Sequence, residues 1–126
     1  MQIKFQIVTN NPLVRERYGD THDVKFLDVS IEQIMETVRD LCLSGHELLT
    51  HPLSGSVKPG ETPYKSILVS SHKGQADMDG YKKCQAAVDA CAKFKTMDKY
   101  RSPSVLDDFQ LVDYTLISSG IQSAEA

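Results

Sequence analysis

Val24-Lys25-Phe26-Leu27-Asp28-Val29-Ser30-Ile31-Glu32-Gln33-Ile34-Met35-Glu36-Thr37-Val38 changes its hydrophobic period half-way along, and that change decides the fold class. Before Ser30, the segment His22 to Val29 carries Val24, Phe26, Leu27 and Val29 with little helix punctuation, which predicts a strand. From Ser30 on, Ile31, Ile34, Met35, Val38, Leu41 and Cys42 recur at helical spacing until Gly45, which predicts an amphipathic helix. Ser30 and Gln33 form a capping box at its start.

The same alternation extends outward in both directions. Toward the N-terminus, Ile3, Phe5 and Ile7 alternate with Lys4 and Gln6, giving a strand that ends near Thr9. Asn10-Asn11-Pro12 then supplies a helix cap and a first-turn proline, and Gly19 a stop after Tyr18. Toward the C-terminus, His46 to Thr50 reads as a third strand and Lys65 to Ser71, centred on Ile67-Leu68-Val69, as a fourth. From Asp77, the face Tyr81, Cys84, Val88 and Cys91 and the later Lys93, Lys95 and Lys99 predict the longest helix of the chain. Ser102-Pro103-Ser104 interrupts it, and Val105, Leu106, Phe109, Val112, Leu116 and Ile117 predict a last helix, although strand also fits Phe109 to Ile117. The tail 119–126 is expected to fray. Strands alternating with helices imply a single α/β domain over residues 1–126, with a mostly parallel, Rossmann-like sheet of about four strands flanked by helices.

Composition narrows the function classes. The chain of 126 residues, 40% hydrophobic and 25% charged, has the make-up of one folded domain. A net charge of -3 without a basic run argues against a nucleic-acid partner. The opening residues do not read as a secretion signal and no long apolar run occurs, so a cytoplasmic protein without a membrane partner is expected. Cys42, Cys84 and Cys91 contain no C-x-x-C pair, which fits a reducing compartment, and Cys84 and Cys91, seven apart on one helix face, read as two small buried hydrophobes ahead of a redox pair.

Between the third and fourth predicted strands, residues 51–64 form a long loop stiffened by Pro52, Pro59 and Pro63. The run from Thr50-His51-Pro52-Leu53-Ser54-Gly55-Ser56-Val57-Lys58-Pro59 to Glu61-Thr62-Pro63-Tyr64-Lys65-Ser66, with Thr9-Asn10-Asn11-Pro12-Leu13-Val14 near the start, resembles the GrdX family, and the likeness extends over residues 3–118. The resemblance implies a protein encoded beside selenium-dependent glycine, sarcosine or betaine reductase genes of anaerobic amino-acid fermenters. It transfers no reaction and no catalytic residue.

If the first and third strands are adjacent and parallel, both blocks meet at the carboxyl edge of the sheet, where open α/β sheets bind ligands. The candidate binding residues are Thr9, Asn10, Asn11, Thr50, His51, Ser54, Gly55, Ser56, Lys58 and Tyr64, whose amides, hydroxyls and ammonium suit a polar or anionic small molecule. No P-loop, dinucleotide fingerprint or G-x-S-x-G elbow is present, so no cofactor is identified. His22, His46, His51 and His72 are too scattered for a metal motif. The leading reading is an accessory protein that binds a polar metabolite or a reductase-system protein. The alternatives are a loop that serves only as a structural clasp, with Leu53 and Val57 plugging the core, and a small enzyme acting on an anionic amino-acid derivative through His51 and Lys58. A simpler role for His51 is a hydrogen bond from its ring to the loop backbone.

Overall fold

The computed structural model describes residues 4–53, 62–93 and 102–126. The elements are β1 (Phe5–Thr9), α1 (Pro12–Tyr18), β2 (Asp23–Phe26), α2 (Ile31–Leu43), β3 (Ser66–Ser70), α3 (Met78–Lys93) and α4 (Pro103–Glu125).

Local chemistry sets the helix ends. Asn11 Oδ1 accepts from Leu13 N at 3.0 Å ahead of α1. At the start of α2, Ser30 Oγ accepts from Gln33 N at 3.2 Å and Gln33 Oε1 accepts from Ser30 N at 3.0 Å, the reciprocal pair expected from the sequence. At its end Gly45 N donates to Cys42 O and His46 N to Leu41 O, the double closure that requires a left-handed residue, and Gly45 supplies it with φ 116°. Gly74 N donates back to Gly45 O at 2.9 Å, so two backbones approach closely there. Asp77 caps α3 by accepting from Gly80 N at 3.0 Å.

The sheet has the order β2-β1-β3, with β1 parallel to β2 and antiparallel to β3. Both faces are covered, as strand periodicity requires. Val8, Ile67 and Val69 point toward α2 and α3, where Ile34, Met35, Val38, Cys42, Cys84 and Ala87 complete one core. Ile7 and Leu68 point the other way, against Val14 of α1 and Ile117 and Ile121 of α4.

The sheet therefore differs from the expected one: it has three strands of mixed direction, not about four mostly parallel ones, and is not clearly Rossmann-like. The expected third strand, 46–50, reaches β3 only through an isolated antiparallel bridge, Leu48 to Val69. Side chains take the positions a longer ladder would need: Glu47 N donates to Ser70 Oγ, Leu48 N to Asp77 Oδ2, and Leu68 N to Thr50 Oγ1. Segment 46–50 still runs in the direction of β1, because it opposes β3 and β3 opposes β1. β3 thus lies between 46–50 and β1.

Other expectations shift as well. β2 is shorter than His22 to Val29. The segment 105–117 is helical, and α4 continues to Glu125 through the stretch expected to fray, because Ile121 packs into the core. Within the described residues α3 has 16 residues and α4 has 23, and the expected continuation of α3 beyond Lys93 lies outside the described residues. Lys95 and Lys99 lie outside the described residues. No helix among the described residues is long and apolar enough to cross a membrane.

Candidate functional site

Thr9 and Ser66 face each other at the end of the β1–β3 pair, so the end of β1, the start of β3 and the middle of α4 converge there. Asp113 of α4 reaches into that junction with 5% of its surface exposed. Its Oδ1 accepts from Ser66 N at 3.0 Å, and its Oδ2 accepts from Ser66 Oγ at 2.7 Å and Asn11 Nδ2 at 2.9 Å. The direction of the remaining bonds follows from that carboxylate. With its proton committed to Asp113, Ser66 Oγ can only accept from Thr9 Oγ1 at 2.7 Å, and Thr9 Oγ1 in turn accepts from Asn11 N at 2.9 Å. Asn11 Nδ2 also donates to Gln110 O. Buried polar groups are thereby satisfied by one another, which is the condition for a polar cluster inside a core.

Asn10 forms a second junction beside the first. Its Nδ2 donates to Val29 O at 2.9 Å and Pro63 O at 2.8 Å, and its Oδ1 accepts from Lys65 N at 2.9 Å. One side chain therefore holds the approach to α2 and the returning end of the long loop. Lys65 is 8% exposed, and burial pushes its ammonium below the usual lysine range while nearby Asp113 offsets part of that shift. Next to Asn10 lies a cleft of about 330 Å³ lined by Asn10, Asp28, Val29, Ser30, Ile31, Pro63 and Tyr64. Tyr64 Oη accepts from Gln110 Nε2 at 3.1 Å, tying this rim to α4.

The candidate residues that are described, Thr9, Asn10, Asn11, Thr50, His51 and Tyr64, fall into more than one place. Thr9, Asn10 and Asn11 come together but are buried and committed to the framework. Tyr64 and Asn10 line the cleft. Thr50 and His51 line a different cleft, beside α4. His51 Nδ1 accepts from Leu53 N at 3.0 Å, the backbone-holding role weighed from sequence. Ser54, Gly55, Ser56 and Lys58, and with them Val57, lie outside the described residues. The two sequence blocks do share an edge of the sheet, but through the start of β3 and not through adjacent parallel strands.

Asp113, Ser66 and Lys65 were not among the sequence candidates. One signal existed for Asp113: it is the sole charged residue from Phe109 to Ala124, in a run otherwise fit for a core helix. Cys42, Cys84 and Cys91 are buried free thiols, as expected. The Cys84 thiol is pushed up by its hydrogen bond with Cys42 and by burial, and burial also raises Cys91. Among the described residues no group of three or more His, Cys, Asp or Glu side chains is placed to hold a metal ion.

The model of the GrdX-like protein family matches residues 6–122, nearly the whole chain and both sequence blocks. The chain belongs to the GrdX family. Searches of curated proteins and of solved structures gave no match. Family membership agrees with the resemblance read from the Asn10-Asn11 turn and the Thr50 to Ser66 run, both of which lie inside the matched residues. In this member the first block is structural at Asn11, which joins α1, β3 and α4 through the Asp113 carboxylate.

Proposed function

We propose that this GrdX family member is a non-catalytic accessory protein of glycine reductase-type amino-acid fermentation, and that it binds a polar small molecule at the cleft beside Asn10. The observation that carries this reading is the Asn10 junction, which fixes the cleft walls Val29 and Pro63 to each other before any ligand arrives. A preformed cleft loses less entropy on binding than one that must be ordered. Its lining also sets the chemistry. Ser30 and Gln33 already cap α2, and Asp28 is the charged group on the rim, so the described part of the cleft suits a ligand with N–H or O–H donors better than a bare anion. Lys58, on which the anion preference rested, lies outside the described residues.

Thermal melting in the presence of amino acids, their N-methylated derivatives and isolated reductase components tests the proposal. A ligand that binds the folded state raises the melting temperature, and that rise should vanish in Asp28→Asn and Tyr64→Phe. No shift with any of them, or an equal shift in both variants, would remove the cleft from the account.

A second reading, the structural clasp, has support of its own. Pro52 is fully buried, Leu53 packs against the α2–α3 core, and His51 holds the Leu53 backbone. In that reading the loop closes one end of the sheet and substitutions there change stability alone. The enzyme reading rests on His51 and Lys58, of which His51 already has a hydrogen bond to the loop backbone.

A further inference from the structure

Between residues 49–51 and the last turns of α4 lies an open cleft of about 520 Å³, a volume in the range of small-molecule sites. Leu49, Leu116 and Ala124 give it apolar walls, and no Asp, Glu, Lys or Arg lines it. Gly120 lets α4 come this close to Thr50, since a Cβ there would lie 2.9 Å from Thr50 Cγ2. The polar groups of the lining are not all used by the fold. His51 Nδ1 accepts from Leu53 N at 3.0 Å, so the neutral ring carries its proton on Nε2, and that proton has no acceptor among the described residues. Thr50 Oγ1 accepts from Leu68 N at 3.0 Å and keeps its own proton to give. The Ser123 hydroxyl has no hydrogen-bond partner among the described residues, in contrast to Ser119 Oγ, which donates to Thr115 O.

We propose that this cleft is a second binding site, separate from the one beside Asn10, and that it takes a small monocarboxylate. The carboxylate oxygens accept the protons of Thr50, His51 and Ser123, and the hydrocarbon body lies against Leu49, Leu116 and Ala124. Donors without acceptors select the head group: a carboxylate only accepts, and its two oxygens offer sites for all three protons. An ammonium has the opposite need. It would find His51 Nδ1 already taken by Leu53 N, one lone pair of Thr50 Oγ1 taken by Leu68 N, and no acid in the lining to balance its charge. Glu125, the acid next in sequence to Ala124, does not line this cleft, and its Oε2 is paired with His22 Nε2. The apolar walls select the body, because each methylene that leaves water strengthens binding by up to about four-fold. A chain of several carbons is therefore held far better than acetate.

The test is a titration of the whole, isotope-labelled chain with hexanoate, acetate, hexanol and hexylamine, read by amide chemical shifts in NMR. The expected result is a saturable shift with hexanoate, confined to residues 49–51 and 116–124, and binding at least roughly ten-fold weaker for the other three probes, each of which lacks either the head group or the body. Ser123 is exposed, so its variants should fold, and melting checks that they do. Ser123→Ala removes one donor and should weaken hexanoate by roughly three- to ten-fold, and Ser123→Leu should fill the cleft and abolish binding. Asp28→Asn and Tyr64→Phe, on the other cleft, should leave hexanoate binding unchanged. No saturable shift with hexanoate, hexanol or hexylamine binding as tightly as hexanoate, undiminished binding in Ser123→Leu, or loss of binding in the Asp28 and Tyr64 variants would overturn the proposal. Failure here leaves the Asn10 cleft untouched, because no residue is shared between the two sites.

Discussion

At the scale of the residue, Asp113 carries more of the structure than its single position suggests. Its carboxylate receives three hydrogen bonds, two from Ser66 and one from Asn11, whose Nδ2 donates to Gln110 O as well. Asp113→Ala should therefore cost about 3 kcal/mol in urea unfolding, because buried donors are left without a partner. Asp113→Asn should recover only part of it, since one accepting oxygen becomes a donor facing Asn11 Nδ2. An effect of either substitution within a few tenths of a kcal/mol would contradict the hydrogen-bond chain. Lys65 gives a prediction in pH. Its folded pKa is lowered by burial from the ordinary lysine value of 10.5, so between the folded and unfolded values the unfolded chain binds more protons and stability rises with pH. Below that window the cost of the buried ammonium is present in full; it is relieved as pH climbs through the folded pKa. The stability of the native chain minus that of Lys65→Met should thus rise on the alkaline side, a comparison in which the raised thiols Cys84 and Cys91 act equally on both proteins. A flat difference curve would show that Lys65 is not held in this environment. Asp113 is marked in the sequence only as a lone charge in an uncharged run, and Lys65 not at all, because a buried charge is recognised by what the fold places around it. Asn11 was legible as a cap, its local role, and not as the donor to an acid about a hundred positions later.

At the scale of the element, helices were readable because their signals are local. The capping box at Ser30 and the stop at Gly45 stand in the structure where the sequence puts them. Gly45→Ala tests the stop: with φ at 116° and a new Cβ 2.4 Å from Gly74 O, it should cost more than about 1 kcal/mol. A neutral outcome in denaturant unfolding would mean that the turn relaxes freely. The strands were less readable in one specific way. Residues 46–50 have the composition of a strand and the direction expected after a crossover helix, yet three side chains, Ser70, Asp77 and Thr50, take hydrogen-bonding groups of the neighbouring backbones. β1 takes β3, antiparallel, as its second neighbour, and no hydrophobic period encodes that choice. Leu53 belongs to this scale as well. Because it packs on the α2–α3 core, Leu53→Ala should lower unfolding free energy by about 1–2 kcal/mol. No loss would detach that end of the loop from the core and weaken the clasp reading.

At the scale of the whole molecule, a small three-stranded sheet is covered on both faces by helices, and two polar junctions at one of its edges fix β1, β3, α2 and α4 relative to one another. The two sequence blocks contribute to those junctions together: one supplies the amides of Asn10 and Asn11, the other Ser66 and the backbones of Pro63 and Lys65. The cleft beside Asn10 lies at this edge, and the proposed function takes it as the place where a ligand binds. Native mass spectrometry of the gently purified chain, set against its denatured mass and against Asp28→Asn and Tyr64→Phe, tests that conclusion most directly. The account predicts a reproducible extra mass in the native chain that is lost on denaturation and absent from both variants. An unadorned native mass after purification and after incubation with the amino-acid derivatives and reductase components, or an extra mass retained equally by both variants, would contradict it.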